Sequence, residues 1–158
     1  MNRFVVLVAV IAAGWTAIAV VGQQPPAGPP SEPVNSIEKL ADNLYRIPGG
    51  GGNSAVFVRS NGVVLVDTKV PNNGQALLDL IRSVTNQPVT HIINTHTHGD
   101  HVGSNAYFPA SVEIVAQENT RLNMEKVANF QAPESRVGLP DRTYEDRLSL
   151  FRGKEAID

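Results

Sequence analysis

The chain has 158 residues, a formal net charge of −2 and no cysteine. A slightly acidic chain offers no basic surface for phosphate groups, so we expect no nucleic-acid partner. The absence of cysteine excludes disulfides and thiolate metal ligands within this sequence.

The first residues predict export from the cytoplasm. A positive start at Arg3, an uncharged run over residues 4–21 and a small-x-small cleavage site at 17–19 are typical of a secretory signal. We predict that residues 1–22 form a signal peptide or an uncleaved membrane anchor, because the apolar run is just long enough to span a bilayer. The expected location is periplasmic or extracellular, with membrane contact only through an uncleaved anchor.

A proline-rich linker follows. Five of the eleven residues from 23 to 33 are proline, which favours an extended polyproline conformation over residues 23–35. Residues 36–158 are then long enough for one compact domain but not for two.

Within this domain the order of predicted elements is α/β. Alternating apolar residues predict strands, and apolar residues at helical spacing after Asn73, a good N-cap, predict the first helix. Residues 49–52 are four glycines that join two strands without a following Lys-Ser or Lys-Thr, so they predict a hairpin loop and not a phosphate loop. The strands are predicted over 44–47, 54–59, 63–66, 89–94 and 112–116, and the helices over 74–85 and 118–128.

The end of the sequence is less regular. Residues 129–142 have no clear period and are candidates to line a substrate cleft. Residues 147–151 and 156–158 alternate like the two strands of a hairpin around a Gly-Lys turn. Since the second strand has only begun at Asp158, we expect that the sequence is truncated there.

Three of the four histidines fall within six residues, directly after the predicted strand 89–94. His96 and His98 are two apart, so in an extended chain both side chains can reach one ion, and Asp100 and His101 are candidates for a second ion. Burying these groups without a cation would leave costly unpaired polar atoms, which disfavours a purely structural cluster. We expect Gly99 to take a positive φ that turns the loop back.

Imidazole and carboxylate ligands without thiolate favour zinc, with iron or manganese as alternatives. His91 is too far along the strand to share an ion with His96, at about 16 Å, and is predicted to be structural.

The run Thr95-His96-x-His98-x-Asp100-His101 resembles the signature of the metallo-β-lactamase-fold hydrolases. Upstream, the strand that leads from Gly62 to Asp67 resembles the family strand that ends in a buried aspartate. The resemblance implies an αββα sandwich, of which residues 36–158 would form the first half. It also implies that His96 and His98 bind one zinc, that Asp100 and His101 bind a second, and that Asp67 supports them by hydrogen bonds. From the sequence alone Asp67 could equally cap the next turn.

The resemblance implies hydrolysis of a lactam, lactone, ester or thioester bond in a small molecule by a metal-bound hydroxide, with Asp100 orienting the water. His98 stands where the di-iron oxygen-reducing members have Glu, which argues against that branch. Two alternatives stay open. One is an iron-dependent redox member that shares the motif, and the other is a non-catalytic metal-binding fragment, since no histidine follows His101 to complete the family's ligand set. The oligomeric state is not predicted.

Overall fold

Seven strands form one mixed sheet in residues 32–158, the part of the chain described by the structure, which is a computed structural model. The predicted signal segment and residues 23–31 of the linker lie outside the described residues. From residue 32 onward, no helix has the length and apolar character needed to cross a bilayer. The strands are β1 (Glu38–Ala41), β2 (Leu44–Ile47), β3 (Ser54–Arg59), β4 (Gly62–Val66), β5 (Val89–Asn94), β6 (Glu113–Gln117) and β7 (Arg142–Tyr144).

The strand order in the sheet follows the chain order. Strands β1 to β4 pair antiparallel through short turns, whereas β4 to β7 pair parallel. A parallel neighbour requires a crossover connection. The three crossovers carry the helices α1 (Gly74–Arg82), α2 (Gly99–Val102) and α3 (Glu118–Met124). The predicted α/β class is therefore confirmed.

The main core lies between the sheet and α1. Alternate residues of the central strands point to one face, where Leu77 and Ile81 of α1 are fully buried against them. Each such buried aliphatic side chain contributes roughly 1.5–3 kcal/mol to folding. The strand residues of this core include Ile47, Val56, Val63, Leu65, Ile92 and Ile114.

Helix α1 begins where the sequence predicts but without the predicted cap. Asn73 precedes the helix, yet its side chain accepts no hydrogen bond from the first turn. Its amide nitrogen instead donates to the carbonyls of Val70 and Pro71, at 3.0 and 3.3 Å. The side chain thus closes the turn before the helix, and the helix ends three residues earlier than expected.

Helix α3 is also shorter than predicted, because it ends at Met124 and a 3-10 turn over Ala128–Phe130 follows. A second core cluster explains the break. Met124 and Phe130 are both buried in it with Val102 and Leu139. In a continuous helix, positions six apart would point about 120° away from each other, so the chain has to bend to bury both.

The predicted C-terminal hairpin is largely wrong. Its two arms meet only at one antiparallel bridge, between Leu150 and Ile157, and Gly153–Glu155 forms a 3-10 turn. Phe151 has a φ of 66°, which interrupts an extended strand. This turn lets the Phe151 ring lie under the guanidinium of Arg59, 3.2 Å from the ring centroid.

Candidate metal centre

The histidine cluster lies at the carboxyl ends of two parallel strands. Asp67 directly follows β4 and Thr95 directly follows β5. Open α/β sheets bind ligands at the carboxyl ends of their strands, because the loops that leave neighbouring strands meet there. The backbone joins the two loops, since the N–H of Thr68 donates to the carbonyl of His101 over 2.7 Å.

The structure brings the four predicted ligands together. The His96 ring centroid lies 4.6 Å from that of His98 and 4.0 Å from that of His101. Asp100 Oδ2 lies 3.3 Å from His101 Nε2. Two donor atoms on one tetrahedral zinc, each bonded at about 2.1 Å, are separated by about 3.4 Å. The last pair therefore has the spacing that a shared ion requires.

A helical turn, and not a special glycine conformation, reverses the loop. Gly99 is the first residue of α2 and does not have the positive φ that we expected. His98 is the extended residue before the helix, and its carbonyl accepts from the N–H of His101 over 2.9 Å. This turn returns His101 to His96, so the expectation for Gly99 was wrong.

Asp67 supports the loop through three hydrogen bonds. Its side chain is buried, and its carboxylate accepts from the Thr95 N–H at 2.9 Å, the Thr95 hydroxyl at 2.7 Å and His101 Nδ1 at 2.7 Å. No hydrogen bond runs from this carboxylate to the turn that follows it within the described part of the chain. The geometry corresponds to support of the metal loop and not to the capping alternative.

These bonds fix which ring nitrogens are free. An ionised carboxylate only accepts, so His101 donates from Nδ1 and its Nε2 lone pair is available to a metal. Thr95 gives its single hydroxyl proton to Asp67, so it accepts from His96 Nδ1 over 3.0 Å. His96 Nε2 is then free in the same way. Sequence reasoning missed this role of Thr95, although its position before the first histidine was a signal.

The donor set fits zinc in chemistry and in pair spacing. His96, His98, Asp100 and His101 would hold the metal. Across residues 32–158, however, no three histidine, cysteine or carboxylate side chains surround a single point. The centre thus supplies ligand pairs, whereas a catalytic zinc normally has three protein ligands.

The glycine loop, residues 49–52, lies against this centre. A Cβ on Gly51 would be 2.5 Å from Asp100 Cβ, and one on Gly52 would be 3.2 Å from His101 Nε2. The backbone of the loop therefore lies close to two of the candidate ligands.

Lys69 is buried beneath the same loop. Its Nζ donates to the carbonyls of Ile47 and Gly52 over 2.6 and 2.5 Å. Burial lowers the Lys69 pKa to about 8, and the nearby Asp67 carboxylate opposes the shift. Sequence reasoning missed this residue, because a lysine after a predicted strand is usually exposed.

His91 lies outside the cluster, as predicted. It sits in β5, where its Nε2 is 3.2 Å from Glu113 and its ring meets Phe151 edge-on at 4.9 Å. Burial lowers the His91 pKa, and Glu113 partly opposes this.

A cavity adjoins the metal loop. Its volume is about 280 Å³, and its mainly apolar wall includes Thr97, Gly99, Val127 and Phe130. Part of the irregular region predicted to line a cleft, at Asn129, Phe130 and beyond, contributes to this wall.

Comparison with known proteins identifies similar chains. Human metallo-beta-lactamase domain-containing protein 1 is 34% identical over 71 residues, which cover 44% of this chain and 27% of that protein. Uncharacterized protein YobT of Bacillus subtilis is 28% identical over 112 residues, 66% of this chain and 48% of that protein. The chain therefore spans about a quarter to a half of the length of these curated relatives.

Solved structures share the fold. BJP-1, a subclass B3 metallo-beta-lactamase of Bradyrhizobium japonicum, superposes with a TM-score of 0.61 at 24% identity, over 76% of this chain and 49% of that one. A metallo-beta-lactamase from Pontibacter korlensis gives 0.61 at 20% identity, over 77% and 57%. The family model described as metallo-beta-lactamase superfamily matches residues 47–142. Since this match covers more than half of the chain, the protein belongs to the metallo-beta-lactamase superfamily.

Proposed function

We propose that the protein is a zinc-dependent hydrolase that cleaves a lactam, lactone, ester or thioester bond in a small molecule. The observation that carries the proposal is the pair of donor atoms on Asp100 and His101, which lie 3.3 Å apart, with the His101 ring oriented by its Nδ1 bond to the buried Asp67. Zinc, when bound, lowers the pKa of water to about 7 and polarises a carbonyl.

The residues of this chain would contribute binding and orientation. Asp67 keeps the proton on His101 Nδ1, and Thr95 keeps the proton on His96 Nδ1, so both Nε2 atoms would be free to bind the metal. The carboxylate of Asp100 can accept a hydrogen bond from the reacting water and orient it. The cavity beside Thr97 has room for an apolar part of the substrate.

The test uses the full chain loaded with zinc. Hydrolysis of a chromogenic cephalosporin, a lactone, an aryl ester and a thioester is measured before and after chelation. Asp100→Asn should lower kcat/KM by about 10²- to 10⁴-fold, the contribution of a positioned acid or base. The matched control is His91→Gln, which removes a histidine outside the cluster and should change kcat/KM little. Full activity after chelation, or no hydrolysis of any of the four bonds, would overturn the proposal.

A second candidate is metal binding without catalysis. It is favoured by the ligand pairs, which fall short of three protein ligands for each ion. Zinc binding that requires His96 and His101, together with no hydrolysis in the same assay, would support it. Iron retained through purification, with oxygen consumption, would instead favour a redox role.

We also propose that the protein is exported. The support is the positive start and the uncharged run over residues 4–21. Expression of the full chain in a bacterial host, followed by fractionation and intact-mass analysis, should find the protein outside the cytoplasm. A mass that corresponds to a chain starting near residue 20 would indicate cleavage of the signal peptide. The mass of the full-length chain in the membrane fraction would indicate an anchor. A full-length chain in the cytoplasm would contradict export.

A further inference from the structure

Lys69 is an unusual residue to bury. It has no exposed surface, its φ is 71°, and its ammonium group forms no salt bridge with any carboxylate of residues 32–158. A buried cation without a paired anion is unfavourable for stability, and an apolar side chain of similar volume often replaces a buried charge at little cost. General stability therefore does not account for a lysine at this position.

The two bonds of Lys69 close the glycine loop. One acceptor, the carbonyl of Ile47, is the last residue of β2, and the other, the carbonyl of Gly52, is at the far end of the loop. Gly50 packs on the aliphatic stem, where an added Cβ would be 3.0 Å from Lys69 Cβ. The N–H of Val70 donates to the Gly50 carbonyl over 3.0 Å. A single side chain thus joins both ends of the loop, and its backbone neighbour joins the middle.

The loop in turn sets the space available to two metal ligands. Gly51 leaves no room for a side chain next to Asp100, and Gly52 lies against His101 Nε2, the nitrogen that would bind a metal. A displacement of the loop by a fraction of an ångström would either press on these side chains or free them to move. Metal affinity is sensitive to such orientation, and loss of an outer support typically weakens it 10- to 100-fold.

We propose that Lys69 is a positioning residue for the metal centre: it ties Ile47 and Gly52 together and so holds the glycine loop against Asp100 and His101. The proposal rests on the proposed metal-binding function and deepens it. Lys69 makes none of the hydrogen bonds of these ligand side chains. A purely structural lysine would change the stability of the hairpin and leave the metal unaffected, so metal spectroscopy separates the two roles.

The first experiment compares Lys69→Met with the wild-type full chain. Cobalt(II) is titrated into each protein, and its d–d absorption spectrum and dissociation constant are measured, with circular dichroism as a check of folding. We expect the dissociation constant of Lys69→Met to rise about 10- to 100-fold with an altered spectrum. The matched control is Arg59→Met, which removes another largely buried cation. Arg59 pairs with Gly62 at the start of β4, at the end of the strands opposite to the metal loop. This control should bind cobalt as the wild type does.

A glycine pair tests the loop without touching Lys69. Gly51 and Gly153 have φ values of 92° and 65°, so alanine is strained at both positions. Only the Gly51 methyl would meet a ligand, whereas the space around Gly153 is open. Gly51→Ala should therefore alter the cobalt spectrum, and Gly153→Ala should not.

A chemical rescue keeps the proposal testable where a variant is unstable. The chain has no cysteine, so Lys69→Cys has a unique thiol that 2-bromoethylamine converts, in denaturant, to a lysine analogue. After refolding, aminoethylation should restore cobalt affinity to within a few-fold of wild type. Cobalt affinity and spectrum equal to wild type in Lys69→Met would overturn the positioning role. A Lys69→Cys variant that folds only when aminoethylated would also overturn it, because Lys69 would then be required for folding itself. Failure of the wild-type chain itself to bind cobalt would instead remove the proposed function, and this inference with it.

Discussion

The carboxylate of Asp67 orders the candidate centre, because it accepts three hydrogen bonds from two residues, Thr95 and His101. Asn at this position offers one acceptor oxygen and one amide that can only donate. In Asp67→Asn the new amide group would therefore face a hydrogen-bond donor, either the N–H of Thr95 or Nδ1–H of His101. We expect zinc affinity to fall about 10- to 100-fold, as is typical for loss of an outer support, in a competition titration with a chromogenic chelator.

A second carboxylate provides the control for this change. Asp141 also accepts a backbone N–H, that of Ile114 at 2.9 Å, near the amino end of β6 and away from the loop that carries His96, His98 and His101. Asp141→Asn should leave zinc affinity unchanged. Equal zinc affinities for Asp67→Asn and the wild type would contradict the role of Asp67.

Lys69 should give stability a distinct pH dependence. Its pKa is about 8 in the folded protein and 10.5 when unperturbed, so between these values the unfolded chain binds more protons than the folded one. The contribution of Lys69 to the free energy of unfolding then rises with pH across this interval. The difference in unfolding free energy between wild type and Lys69→Met should grow in favour of wild type from pH 8 to pH 10. Urea titrations at several pH values measure it, and a constant difference would show that the pKa is not lowered.

At the scale of elements, a buried asparagine joins the loops around the centre. Asn105 has no exposed surface and forms hydrogen bonds with Thr68 and Asn94. Thr68 lies just after β4, and Asn94 is the last residue of β5. Its amide also donates to the carbonyl of Gly138 over 2.8 Å. One side chain therefore links both metal-loop strands to the segment that lines the cavity.

Replacement of Asn105 by leucine removes all of these bonds and leaves several buried polar groups unpaired. Each such group costs about 1–3 kcal/mol, so we expect Asn105→Leu to lower the free energy of unfolding by about 2–5 kcal/mol. Urea denaturation should show a lower midpoint with the slope unchanged. Asn123→Leu, on an exposed position of α3, is the control and should change stability by less than about 0.5 kcal/mol.

The sequence predicted strands well where short apolar or β-branched runs are bounded by turn residues. Strands β2, β3 and β5 have the predicted bounds, because Asn43, Asn53 and Pro88 precede them and mark where each run begins. Strand β1 was missed, since all four of its residues are exposed and no alternation marks it. Strand β7 has only three residues, and pairing with β6 defines it.

The site shows the same division. The four ligand candidates and Asp67 were predictable, because their residue types and spacing form a local motif. The burial of Lys69 and its bonds to the glycine loop were not predictable, since they depend on a positive φ and on carbonyls 17 and 22 residues earlier in the chain. Local sequence patterns carry no information about such a tertiary contact.

At the scale of the whole molecule, a cluster of side chains attaches the C-terminal segment to the sheet. Arg59 stacks on Phe151 and forms a salt bridge with Glu155 at 3.2 Å. Glu155 also accepts from the backbone N–H of Ser60 over 2.7 Å, and this bond lowers the Glu155 pKa. The two bonds of Glu155 join residues 95 and 96 positions apart, at the end of the strands opposite to the metal loop.

Loss of Arg59 should therefore release this segment while the metal centre stays intact. The Ser60–Glu155 hydrogen bond and the edge-on contact of Phe151 with His91 would remain, because neither involves Arg59. We expect Arg59→Met to increase amide hydrogen exchange at residues 147–158 by about tenfold, the effect of losing roughly 1.4 kcal/mol of local stability, with protection in β4 and β5 unchanged. Mass spectrometry of peptides from both regions measures this, and Lys154→Gln, an exposed change in the same segment, is the control. Unchanged exchange in the C-terminal peptides would show that the remaining contacts hold the segment without Arg59. Faster exchange that spread into β4 would instead make the segment part of the cooperative core.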